Sequence, residues 1–179
     1  MIEYLGFSPR KQFRLIQERL MTDFTADFCD NYPDKVSVLD AGFSNFGGAT
    51  QCQGTVVTQW LDRNNADLIT LLRDEPGHGK VVVVDSEQAY YAIVGENLMK
   101  FAHASGFAGI IVNGYVRDTV QIRDIPVALY ALGTCPRKSI PVTAGKRDIP
   151  LTFGGAAFKP GDYVYADNDG IIVTAQPFT

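Results

Sequence analysis

Apolar and polar positions along this chain fall into two rhythms. Residues 81–85, Val-Val-Val-Val-Asp, and 109–116, Gly-Ile-Ile-Val-Asn-Gly-Tyr-Val, are continuous runs rich in β-branched residues, the pattern of strands buried on both faces. Between them Leu98, Met99, Phe101, Ala102 and Ala104 recur at helical spacing, and Gly106 stands where helices commonly end in a left-handed residue. The stretch from Val81 to Asp118 therefore predicts a β–α–β unit. Open sheets of this kind place ligands beyond the carboxyl ends of strands and at helix N-termini, so Glu96, Arg117 and Asp118 are expected to converge.

The remaining elements follow from the same signals. Thr22 to Tyr32 predicts a short helix stopped by Pro33, and residues 34–39 lead into a strand. Asn45-Phe-Gly-Gly48 predicts a turn, with Gly54 to Trp60 as a following strand, so a hairpin-like β layer is expected here. Ala66, Leu68, Ile69, Leu71 and Leu72 predict a helix ended by the Pro76–Gly79 region. Residues 86–94 fit a helical turn or a short strand equally. Val127–Leu132, Pro141–Ala144, Ile149–Phe153, Tyr163–Ala166 and Ile171–Val173 read as strands, with turns at 145–148, 160–162 and 167–170. Strands on both sides of a few helices predict a layered α/β domain.

Composition narrows the class. A chain of 179 residues suits one domain with a full core, and its net charge of −4 disfavours direct nucleic-acid binding. No apolar window approaches the roughly 18 residues of a membrane span. Cys29, Cys52 and Cys135 lack zinc or redox spacing and are expected to be reduced thiols of a cytoplasmic protein. Residues 1–21 carry Arg10, Lys11, Arg14 and Arg19 among Phe13, Leu15, Ile16 and Leu20, the pattern of a basic amphipathic helix. They are read as an N-terminal extension, with Met21 as an alternative start and residues 22–179 as the domain.

Two carboxylates and a guanidinium near a helix start suit divalent-metal enolate chemistry. Magnesium or manganese takes oxygen ligands and retains waters, so Asp118 can bind directly while Glu96 acts through water. Backbone N–H groups at 95–98 and Arg117 would then stabilise a 2-oxo acid carboxylate and its enolate. On spacing alone, a solvent-exposed Arg-Asp pair worth about 0–1 kcal/mol and a plain helix-capping Glu96 explain the same residues more simply. Asp167-Asn-Asp-Gly170 starts like a calcium loop but lacks its later Glu, so a turn is expected. His78 and His103 have no nearby nucleophile at useful spacing, and Arg137-Lys138 with Lys146-Arg147 reads most simply as a solvated basic surface, with an anion or subunit contact as the second reading.

Several segments, in order, carry a family resemblance: Phe43-Ser-Asn-Phe-Gly-Gly48, Val81–Asp85, Gly95-Glu-Asn-Leu98, Gly109–Asp118, Ala131–Ser139, Phe153-Gly-Gly155, Pro160–Asp162 and Tyr165–Val173. On these the chain resembles the RraA-like proteins, which include regulators of ribonuclease activity and class II 4-hydroxy-4-methyl-2-oxoglutarate aldolases. The resemblance implies a β/β/α domain of the swivelling type and a homotrimer. For an aldolase it implies Asp118 as the metal ligand for Mg or Mn, and Arg117 and Glu96 as catalytic groups. Gly95, Glu96, Asn97, Leu98 and Arg117 would bind substrate. The implied reaction releases pyruvate from 4-hydroxy-4-methyl-2-oxoglutarate or a related 4-hydroxy-2-oxo acid, with oxaloacetate decarboxylation alongside. A non-catalytic regulator binding ribonuclease E or an RNA helicase is the other implied role. Gln121 stands where aldolases often carry a further acid, and Ser86-Glu-Gln88 replaces a glycine-rich turn. No glycine-rich cofactor loop follows the first strand, which speaks against methyl transfer.

Overall fold

A computed structural model describes residues 24–138 and 143–178. The helix expected within residues 1–21, and Pro141 and Val142 of the expected strand at 141–144, lie outside them; Thr143 and Ala144 are in no strand. Four helices are described: α1 (Thr25–Asn31), α2 (Ala66–Asp74), α3 (Glu96–Ser105) and α4 (Thr119–Ile122). The strands are β1 (Ser37–Val38), β2 (Ser44–Asn45), β3 (Cys52–Trp60), β4 (Lys80–Asp85), β5 (Ala92–Val94) and β6 (Gly109–Val116), then β7 (Ala128–Thr134), β8 (Lys146–Arg147), β9 (Leu151–Phe153), β10 (Ala156–Phe158), β11 (Tyr163–Ala166) and β12 (Ile171–Thr174).

Ten strands form one sheet in the order β1-β12-β11-β3-β4-β6-β7-β2, with β5 added on β6 and β8 on β3. The centre, β3-β4-β6-β7, is parallel, and antiparallel strands flank it. The unbroken valine run of β4 serves two cores because successive strand residues point to opposite faces. Val82 and Val84, with Ile110 and Val112, join Leu68, Leu72, Met99 and Ala102 of the helices. Val81, Val83 and Ile111 face the other way, against Leu151, Phe153, Ala156 and Phe158 of the β9–β10 hairpin. Helices, sheet and hairpin thus form the expected α/β layering. Each fully buried valine contributes up to about 1.5–3 kcal/mol, so both cores are needed to hold the middle sheet in place.

The 81–118 stretch folds as a β–α–β unit: β4 and β6 pair in parallel, and α3 ends at Gly106 with φ of 85°. The undecided 86–94 segment ends in β5, parallel to β6. Its start holds Glu87 and Gln88 at φ of 52° and 57°, the left-handed region that non-glycine residues occupy at a cost of about 1–2 kcal/mol each.

Two expectations are corrected. Residues 44–60 form no hairpin: β2 pairs with β7, while β3 pairs with β4, β11 and β8. The turn is pinned to β7 instead: Asn45 Oδ1 accepts from the amides of Gly47 at 2.9 Å and Leu129 at 3.1 Å, and the Phe46 and Gly48 amides donate to the carbonyls of Leu129 at 2.7 Å and Ile125 at 2.9 Å. Residues 145–148 are not simply a turn, since β8 extends the sheet against the end of β3 (Gln59↔Arg147, Trp60↔Lys146). The helix α4 and the strand β10 carry too few residues for a periodic signal and went unpredicted.

Candidate active site

The carboxyl ends of β5 and β6 open toward the N-terminus of α3. There β5 hands over through Gly95 to Glu96, while β6 delivers Arg117 and Asp118. The Arg117 amide donates to the Val94 carbonyl at 3.0 Å, tying the two strand ends together. Asp118 sits at φ 59°, ψ 34°, a left-handed conformation that turns the chain from β6 into α4. Aspartate tolerates this region better than most residues, and such conformations cluster at functional sites.

One oxygen of Asp118 is already engaged. Its Oδ2 accepts the Glu96 amide at 3.1 Å and lies 3.7 Å from Nε of Arg117, in a pair whose side chains keep 38% and 40% exposure. Oδ1 has no hydrogen-bond partner among the described residues. The amides of Asn97 and Leu98, in the first helical turn, find no acceptor there either. Such orphan donors, backed by the helix dipole, suit an anionic ligand.

These groups border a cavity of about 250 Å³ lined by Gly95, Asn97, Leu98, Arg117 and Asp118, together with Asn65, Ile69, Ala92, Ile93, Phe101 and Lys138. A larger hollow of about 430 Å³, beside Asp34, Lys35 and residues 174–178, shares no residue with it. The expected residues therefore meet, with a qualification for Glu96. Its backbone belongs to the site, whereas its carboxylate pairs with Lys100 at 2.7 Å along the helix and does not line the cavity.

Sequence reading missed Asn65 and ranked an anion contact at Lys138 second. Lys138 is exposed, as on a solvated basic surface, and a bridge between Ala92 and Lys138 also brings it to the cavity wall. Its neighbour Arg137 donates to the Tyr90 carbonyl at 3.1 Å. Asn65 donates its Nδ2 to the Ile93 carbonyl at 2.7 Å, bracing β5 just ahead of Gly95. No local pattern marks Asn65, which reaches the site by a single side-chain bond, and nothing local places Lys138 beside β5. Asp167 is the expected turn residue, and its carboxylate accepts from the amide and hydroxyl of Thr25 and the amide of Asp169.

Among the described residues no three His, Cys, Asp or Glu side chains gather around a common point. The donor set fits a hard dication held by one carboxylate oxygen, with water and ligand oxygens completing the shell. It does not fit zinc, which takes nitrogen and sulfur ligands in closed sites.

A sequence model for RraA-like proteins, described as Aldolase/RraA, matches residues 25–173. A relative from Hahella chejuensis, named as a candidate 4-hydroxy-4-methyl-2-oxoglutarate aldolase, is 43% identical over 158 residues, covering 87% of this chain and 94% of the relative. The structure of the RNA-processing inhibitor RraA from Thermus thermophilis superposes with a TM-score of 0.83 at 36% identity, over 89% of this chain and 96% of that one. A Geobacillus kaustophilus structure described as an S-adenosylmethionine:2-dimethylmenaquinone methyltransferase gives 0.82 at 37% identity, over 86% and 96%.

Proposed function

Because this chain belongs to the RraA-like family, we propose that it is a divalent-metal-dependent aldolase. Its substrate is 4-hydroxy-4-methyl-2-oxoglutarate or a related 4-hydroxy-2-oxo acid, its product is pyruvate, and oxaloacetate decarboxylation is a side activity. The observation that carries the reading is the Asp118 carboxylate, held through Oδ2, at a cavity that also holds a guanidinium, with Oδ1 and two helix amides left without a partner among the described residues.

In this reading Asp118 holds Mg or Mn, which when bound supplies Lewis-acid stabilisation of the enolate charge. The amides of Asn97 and Leu98 receive the carboxylate of the 2-oxo acid. Arg117 lies where negative charge develops on the keto oxygen, and a fixed cation there costs no reorganisation during the reaction. Lys138 meets the distal carboxylate, while Ile69, Ile93, Leu98 and Phe101 cover the carbon skeleton. In the retro-aldol step the C4 hydroxyl gives its proton through water to the Glu96 carboxylate, the C3–C4 bond breaks toward the enolate as C4 leaves as the carbonyl carbon of the second product, and C3 takes the proton back by the same route to give pyruvate. Glu96 is the acid proposed to act through water; taking that part requires its side chain to leave Lys100.

The family match over residues 25–173 supports taking 22–179 as the domain. A cytoplasmic homotrimer is part of the same proposal. A second reading, a regulator of ribonuclease E or of an RNA helicase, is favoured by the likeness to the inhibitor structure and by Val120, 74% exposed on α4. Methyl transfer has no support here, since no glycine-rich loop opening a helix follows β1 or β2. The deciding experiment measures pyruvate from 4-hydroxy-4-methyl-2-oxoglutarate and from oxaloacetate with Mg or Mn present. Release that disappears in Asp118→Ala supports the enzyme. No turnover with either metal, alongside tight ribonuclease E binding, supports the regulator.

A further inference from the structure

Gly95 has no conformational need to be glycine. Its φ of −136° and ψ of −171° are extended values open to any residue. What it lacks is room: a Cβ built there would stand 2.5 Å from Oδ2 of Asp118, against 3.4 Å and 3.5 Å from Cγ and Nε of Arg117. Gly95 is also the N-cap of α3, where Ser, Thr, Asp or Asn ordinarily provides an oxygen to the first free amides, and α3 has no such side-chain cap. The missing oxygen comes from Asp118 instead, 22 residues away, through the Glu96 amide.

We propose that Gly95 is a positioning residue, whose missing side chain lets the Asp118 carboxylate cap α3 from the neighbouring strand end and so fixes which carboxylate oxygen faces a cation. Oδ2 is held by the Glu96 amide and the Arg117 guanidinium, and Oδ1 is left as the free ligand atom. The cap and the metal ligand are one group. A methyl group at position 95 displaces that group without straining its own backbone. The geometric part stands on the hydrogen bond and the packing alone, whereas the cation part rests on the metal-dependent reading above.

The test uses the full chain, stripped of metal, as wild type, Gly95→Ala, Asp118→Ala and the double variant. Urea unfolding is measured on each, and Mn²⁺ affinity by the loss of its free-ion paramagnetic resonance signal. Gly95→Ala is expected to lower the unfolding midpoint when Asp118 is present and to leave it unchanged or raised in the Asp118→Ala background. It is also expected to weaken Mn²⁺ binding at least tenfold with the overall fold retained. If Gly95→Ala alone fails to fold and the double variant folds, the proposal is supported; if both fail, it is overturned. Equal destabilisation in the two backgrounds overturns it, as does unchanged Mn²⁺ affinity in Gly95→Ala. A wild type that binds no Mn²⁺ overturns the metal-dependent reading and the cation part with it, while the stability cycle still decides the cap.

Discussion

The amide of Glu96 donates to Oδ2 of Asp118 across 3.1 Å, joining the start of α3 to the end of β6. Through this bond a helix terminus, a strand end and a left-handed aspartate become one rigid unit at the cavity mouth. The chemistry proposed for the site depends on that unit.

Chelation should abolish pyruvate release, and added Mg²⁺ or Mn²⁺ should restore it. Arg117→Ala should lower kcat for oxaloacetate decarboxylation by about 10²–10³, the scale on which a single fixed charge-stabilising donor acts. Arg117→Lys should recover part of this loss, because an ammonium keeps the charge but not the planar fork. Steady-state kinetics on the metal-loaded protein check both variants.

Lys138→Met should weaken dicarboxylic substrates selectively. Losing one charge-assisted hydrogen bond costs about 1.5 kcal/mol, or roughly tenfold in KM for oxaloacetate. A 4-hydroxy-2-oxo acid without a second carboxylate should be nearly unaffected. Equal losses on both substrates would refute the role given to Lys138.

Asp167→Ala should destabilise the fold without touching the site. Asp167 is 1% exposed and accepts from Thr25 at 2.8 Å and 2.7 Å and from Asp169 at 3.0 Å, so its loss strands buried donors. The expected cost is about 1–3 kcal/mol, read from urea unfolding, with metal affinity unchanged.

The pair between Glu75 and Arg147 ties β8 to the end of α2, with Nη2 to Oε2 at 2.7 Å. The Arg147 guanidinium pulls the Glu75 carboxyl below the usual glutamate range. A carboxyl lowered on folding adds stability above its unfolded pKa, and that stability is lost as pH falls through the lowered folded value. Both side chains are about one-third exposed, so the contribution is small, about 0.2–1 kcal/mol. Glu75→Gln should therefore remove a stability increment seen at neutral pH and absent in strong acid, as urea midpoints across pH will report.

Thiol titration should separate the cysteines. Burial pushes the Cys52 thiol up to about 12, so it should resist an aromatic disulfide reagent until the protein unfolds. Cys29 is only partly buried, though burial and the carboxylates of Asp30 and Asp167 raise its pKa too. It should react first and slowly in the native state.

Elements with a strong rhythm were legible from the residues alone. The valine run of β4, the apolar run of β6 and the helical spacing of α3 each declare their structure locally, because every residue reports the same burial pattern. The sequence also marked Arg117 and Asp118, polar residues closing an apolar strand. The remainder became visible once the chain was folded. The segment from Ser44 to Ala49 lies on β7 and the residues before it, through backbone bonds from Phe46 and Gly48 and the Asn45 side chain's bond from Leu129. Lys138 reached the cavity through a bridge to β5, and the Glu96 side chain turned to Lys100 while its amide met Asp118. These choices rest on contacts between residues distant in the chain, each too small in energy and too specific in direction to leave a periodic trace.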